Sequence, residues 1–157
     1  MTTELTYRRT SIAGASPLGL MIALLDTMVG DFRRAADALR KNDIETRCRE
    51  MNHAALVLGQ LESWVDLKNG GESAQTLARF YSYLRAKMMQ AAVEKSASVL
   101  EAQIDSVLHV RSAWQQLDAA PPPAPEEPAE EANEQANVVY ARATDIMADR
   151  IPFSQSA

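Results

Sequence analysis

The sequence predicts an all-α protein: an antiparallel, up-down-up-down four-helix bundle with an N-terminal arm and a disordered Pro/Glu-rich C-terminal tail. Three observations carry this. Apolar residues recur at three- and four-residue steps through most of the first 117 positions. Short polar or glycine-containing links interrupt them at regular intervals, and such links force neighbouring helices to run antiparallel. No stretch of alternating β-branched residues competes for a strand assignment.

Ser16-Pro17 opens the first helix, with Ser as N-cap and Pro at the first helical position. Leu18, Met21, Leu25, Met28, Phe32, Ala35 and Leu39 then form one apolar seam. Asn42-Asp43-Ile44-Glu45 reads as a capping box starting the second helix at Asn42, with Ile44, Cys48, Met51, Ala55 and Leu58 inward. Asp66-Leu67-Lys68-Asn69-Gly70-Gly71-Glu72 is the next link, where both glycines are free to take the positive φ that ends a helix. The third helix covers roughly 72–94, with Ala74, Leu77, Tyr81, Leu84, Met88 and Ala91 on its seam. Ser98-Val99-Leu100-Glu101, a second capping box, starts the fourth, which points Leu100, Ile104, Val107, Trp114 and Leu117 one way.

The chain therefore divides into an arm (1–15), a bundle (16–117), a linker (118–137) and a tail (138–157). Five of its seven prolines fall between Pro121 and Pro128, which favours an extended, solvated tether. Beyond it Val139, Ala143, Ile146 and Arg150 lie at helical spacing, in a segment too short to be a stable helix alone. That segment has the reach to fold back on the bundle; the plainer reading is a solubilising tail.

Composition narrows the function. Hydrophobic residues make up 46% and charged residues 24%, as in ordinary soluble domains. No apolar run is long enough for a membrane span, and the first residues lack the order of a secretory signal, so the expected location is the cytosol. The lone Cys48 agrees with a reducing compartment. The net charge of −5 is unevenly spread. Residues 1–117 carry 14 Lys/Arg against 13 Asp/Glu, while 118–137 carry six acids and no base. A near-neutral body gives no basic footprint for nucleic acid.

Candidate chemistry is sparse. Glu50-x-x-His53 matches one element of di-iron carboxylate bundles, but the second such pair is missing, since His109 follows Ser106. His53 lies opposite the expected seam of its helix, on a solvated face. A histidine phosphotransfer domain is the rival from another class. Those domains resemble His-x-x-Lys-Gly, whereas His53 is followed by Ala54-Ala55-Leu56-Val57, without the lysine that would neutralise a phosphate. Cys48, on the seam, reads as a small buried hydrophobe rather than a reactive thiol. No enzyme, metal or cofactor is expected. What stands out is apolar surface off the seams: Leu20, Leu56, Val57, Trp64, Tyr83, Met89 and Val93, the raw material of a helix-binding groove.

Residues 61–84 resemble the flagellin-export chaperones (FliS family), in which a Leu-Asp, a Gly-Gly-Glu, a spaced Leu and a Tyr-x-Tyr recur around one helix turn. The run here holds Asp66 beside Leu67, then Gly70-Gly71-Glu72, Leu77 and Tyr81-Ser82-Tyr83. Tyr7 in the arm, Ala15-Ser16-Pro17-Leu18 and Arg111-Ser112-Ala113-Trp114 keep the family's order, so the resemblance spans roughly Tyr7 to Trp114. It departs where Leu25, not tyrosine, precedes Asp26, and in the length of the tail. The resemblance implies a cytosolic, non-enzymatic chaperone. Such a protein would bind the C-terminal segment of flagellin, prevent premature polymerisation and pass the client to the export gate. The other reading is a bundle adaptor for a different secreted client. The resemblance gives Tyr7 a role in covering the groove. With Leu20, Leu56, Val57, Trp64, Tyr83 and Met89 it completes the expected client-binding set.

Overall fold

The structure is a computed structural model and describes residues 16–120. Tyr7, the arm, nearly all of the linker and the tail lie outside the described residues. Among the described residues there are four helices and no strand: α1 Pro17–Arg40, α2 Ile44–Ser63, α3 Gly71–Glu94 and α4 Ala97–Asp118. None is long and apolar enough to cross a membrane.

Each helix start has a local cause. The Ser16 Oγ accepts the Gly19 N–H at 2.9 Å, and Pro17 follows as expected. The second helix starts later than the capping box suggested. Asn42 takes a left-handed φ of 56°, and the N-cap is Asp43, whose Oδ1 accepts the Thr46 N–H at 3.0 Å. That bond to its charged form holds the Asp43 carboxyl below the ordinary carboxylate range. The fourth helix likewise opens earlier, after Ser96 rather than at Ser98.

The glycine turn differs from its expected form. Helix α2 already ends at Ser63, and the glycines open α3 instead of closing α2. Only Gly71 has positive φ, at 59°, whereas Gly70 sits at −78°. Gly70 is needed for a different reason: a Cβ there would collide with the Ala74 Cβ and the Asp66 carbonyl oxygen. Asp66 organises the loop between them. Its Oδ1 accepts the N–H groups of Lys68 (3.0 Å) and Asn69 (3.1 Å), and its Oδ2 accepts the Asn69 Nδ2 at 2.9 Å. The Asn69 side chain, then the backbone N–H groups, hold this carboxyl below its usual range.

Side-chain pairs fix the helix directions. Asp31 meets His53 and Arg34 meets Glu50, so α1 and α2 run antiparallel. Ser16 bonds Asp118, Asp26 pairs with Arg111 and Arg40 with Glu101, so α1 and α4 do too. The Arg85–Glu62 pair, Nη2 to Oε2 at 2.6 Å, ties α3 to α2. Helix α1 packs closely along both α2 and α4, whereas α2 and α3 touch along little of their length.

The core follows the seams of α1, α3 and α4. Leu25, Phe32, Leu77, Phe80, Tyr81, Leu84, Leu100 and Trp114 are all essentially inaccessible. The seam assigned to α2 requires correction. Glu50, Ala54, Val57, Leu58 and Leu61 are its buried residues, while Cys48 is exposed and Ile44 is 59% exposed. Helix α2 is rolled away from its apparent apolar stripe because its Glu50 and His53 engage α1.

Candidate functional site

The roll of α2 creates the most distinctive surface on the molecule. Asp31, fully buried on α1, lies with Oδ2 at 2.8 Å from His53 Nδ1 and accepts the Arg34 Nη2 at 2.6 Å on Oδ1. Arg34 also donates from Nε to Glu50 at 2.8 Å, and Arg49 donates to the other Glu50 oxygen at 3.2 Å. Burial pushes the Asp31 carboxyl above its ordinary value, opposed by the His53 and Arg34 contacts. Arg34, above all, holds Glu50 below its ordinary value. His53 is thus not on a free solvated face: half-exposed, it is aimed at a buried carboxylate. Among the described residues no group of His, Cys, Asp and Glu side chains is arranged to hold a metal ion.

With Glu50 and His53 committed to α1, the opposite flank of α2 turns toward α3. Successive residues rotate by about 100°, so Ile44, Cys48, Met51, Ala55, Gly59 and Glu62 line that flank at three- and four-residue steps. These include most of the stripe the sequence assigned to the core. On α3, Arg85, Met89 and Val93 recur at four-residue steps on the flank that meets Glu62. Counted from the Arg85–Glu62 pair, in the antiparallel sense that a short turn imposes, Met89 falls level with Leu58 and Val93 with Ala54. Met51 and Ala55 are half-buried against the core and form the floor. Met89 at 65% and Val93 at 79% exposure form one rim, and Ile44 and Cys48 the far end of the other. A Cβ on Gly59 would meet nothing within 4 Å, so this position of α2 is open to solvent. These residues form an apolar strip along the shallow seam between two sparsely packed helices, the α2–α3 cleft.

Sequence reasoning placed part of this surface. Met89 lies on the cleft. Trp64, 39% exposed, caps the end of α2 beside the glycine turn. Leu56 is 74% exposed but points from the back of α2, away from α3. Leu20 is only partly exposed, and Tyr83 lies on the other flank of α3, with Lys87 Nζ 5.5 Å from its ring. Val57, 7% exposed, packs in the core and is withdrawn from the surface set. Ile44 and Cys48 were missed as surface because their spacing looks like a core seam, whereas Met51 and Ala55 are half-buried against the core. The signal that could have found them is the polar residue Glu50 at a position equivalent to the buried Ala54 one turn on.

Comparison with known proteins agrees with the resemblance. Residues 2–121 match the family model described as flagellar protein FliS. The chain is similar to the flagellar secretion chaperone FliSB of Pseudomonas aeruginosa, 26% identical over 103 residues, covering 66% of this chain and 82% of that protein. It is also similar to the flagellar secretion chaperone FliS of Salmonella typhimurium, 25% identical over 108 residues (68% of this chain, 80% of that one). A third relative, the flagellar secretion chaperone FliS of Vibrio cholerae, is 21% identical over 115 residues, 71% of this chain and 85% of that protein. A family match over residues 2–121, most of the chain, means that the chain belongs to the flagellar protein FliS family.

Proposed function

We propose that this protein is a cytosolic flagellar secretion chaperone that holds the C-terminal segment of flagellin in the cleft between α2 and α3. In this reading it keeps its client from polymerising and delivers it to the export gate. The observation that carries the proposal is the row of exposed apolar side chains on facing flanks of two sparsely packed helices, in a chain of this family. An amphipathic helix supplies what such a cleft lacks, an apolar stripe at i, i+3, i+4 and i+7. Methionine floors adapt to varied side chains, which suits a client segment that orders as it binds. The role needs no catalytic group, and affinity comes from apolar burial alone.

Titration with a flagellin C-terminal peptide tests this. Trp64 fluorescence should change, because its ring is 39% exposed at the end of α2, whereas Trp114, 1% exposed, should contribute little. Helicity should rise beyond the sum of the parts. A peptide that leaves both signals unchanged at high micromolar concentration would refute the proposal. Phosphotransfer is not favoured, since no lysine follows His53 to neutralise a phosphoryl group and the nearby Arg34 is already shared by two acids.

A further inference from the structure

We propose that the chain carries its own occupant for the α2–α3 cleft: the tail segment 138–150, docking as a short helix through Val139, Ala143 and Ile146. This inference rests on the client-cleft reading and adds its regulation.

The exit point of the chain favours it. Helix α4 ends at Asp118, whose Oδ1 accepts the Ser16 hydroxyl at 2.7 Å, so the chain leaves beside the start of α1. The antiparallel pairing of α1 with α2 puts that end level with the loop after Trp64, where the cleft opens. From there the cleft runs along α2 from Glu62 to Ile44, about 27 Å at 1.5 Å per residue. Residues 121–137 reach about 50 Å when extended in polyproline geometry. That is enough to enter the cleft and too little to make the search unproductive.

The chemistry also fits. Residues 138–150 place Val139, Ala143, Ile146 and Met147 on one helical stripe that ends at Arg150, with Arg142, Asp145 and Asp149 off it. A helix of 13 residues is about 20 Å long, shorter than the cleft, and is marginal without a surface to cover its apolar side. The intervening segment holds five acids and no base over residues 121–137, which favours a solvated tether over one that packs on the bundle. Tethering gives the segment an effective concentration of order 1 mM. A segment that binds in trans with a Kd of about 100 µM would then lower client affinity by roughly tenfold. The result is a chaperone whose cleft is shielded until a tighter client displaces the tail.

The test uses the full chain and its sole cysteine. Cys48 is exposed on the cleft-facing flank of α2, so a nitroxide attached there reports what enters the cleft. In the full-length protein the amide resonances of residues 139–147 should broaden, independently of protein concentration. Val139→Asp with Ile146→Asp should abolish the broadening and tighten binding of a flagellin C-terminal peptide by roughly tenfold in unlabelled protein. Unbroadened tail resonances together with unchanged affinity would overturn the inference. So would broadening confined to residues 1–15, which makes the arm the occupant, or broadening that grows with concentration, which makes it a second copy. If the flagellin peptide binds neither form while the tail broadens, the client assignment fails and the internal occupant stands.

Discussion

His53 Nδ1 lies 2.8 Å from Oδ2 of Asp31, joining a half-exposed imidazole on α2 to a fully buried carboxylate on α1. This contact, with the Arg34–Glu50 pair beside it, decides which flank of α2 faces the core. A helix with a continuous apolar stripe would ordinarily bury it. Here the polar pairs win, and the stripe is left open toward α3. The cleft is therefore a consequence of electrostatics at the α1–α2 interface.

The two carboxylates of this cluster should respond to acid in opposite senses. Asp31 is raised in the folded state, so it binds its proton more readily folded than unfolded. Its contribution to stability is fully present below the ordinary Asp value and is lost as pH rises through the raised one. Glu50 is lowered, so its contribution is present above the ordinary Glu value and is lost as pH falls through the lowered one. Urea unfolding at pH 7 and at pH 4 should show Asp31→Asn falling further behind wild type in acid, and Glu50→Gln catching up. At pH 7 the cost of Asp31→Asn should stay below about 2 kcal/mol, because Arg34 keeps Glu50 and no buried cation is stranded.

Two glycine substitutions should move stability in opposite directions. At Gly59 an added methyl meets nothing within 4 Å, and the residue sits inside α2, so Gly59→Ala should stabilise by about 0.5–1 kcal/mol. At Gly70 the same methyl collides with Ala74 and the Asp66 carbonyl. Gly70→Ala should cost about 1–3 kcal/mol and distort the turn. Thermal unfolding of both variants decides the matter, and equal shifts would contradict the distinction.

Much of the fold was legible because its seams are simple. On α3, Ala74, Leu77, Tyr81, Leu84, Met88 and Ala91 are all buried, as their spacing requires. On α1 the spacing was equally faithful, with Leu18 and Leu39 only partly covered near the helix ends. Helix α2 was misread because periodicity identifies an apolar stripe without saying what covers it. Glu50 and His53 look like solvent residues until Asp31 and Arg34 of a different helix are set against them, a pairing over 16 to 22 residues. Within the candidate site, Met89 was found as apolar surface, whereas Ile44 and Cys48 were hidden by resembling a core.

The residues shared with the family at the end of α4 should contribute very unequally. Trp114 is 1% exposed and among the largest fully buried side chains, so Trp114→Ala should cost about 3–5 kcal/mol. Arg111, three residues earlier, pairs with Asp26 across the α1–α4 interface where both side chains still reach solvent. Arg111→Gln should cost less than about 1 kcal/mol and lose even that in high salt. Denaturant unfolding at low and at high salt concentration separates the two. A salt-independent loss of several kcal/mol at Arg111 would mean that the ion pair fixes the packing of α1 on α4.

The position of an apolar residue on its helix should matter more for client binding than how exposed it is. Leu56 is more exposed than Met89, yet it lies on the back of α2, whereas Met89 lies one turn beyond Arg85 on the flank of α3 that meets Glu62. A client helix lying between α2 and α3 would bury Met89 and leave Leu56 in water. Removing a buried methionine side chain and placing a carboxylate in a desolvated contact should each cost binding energy. Met89→Asp should therefore weaken binding of a flagellin C-terminal peptide at least tenfold, with helicity and thermal unfolding of the free protein nearly unchanged. Leu56→Asp should shift the affinity less than threefold. Calorimetric titration of both variants with the same peptide checks this, and the reverse ranking would move the client from the cleft to the outer face of α2.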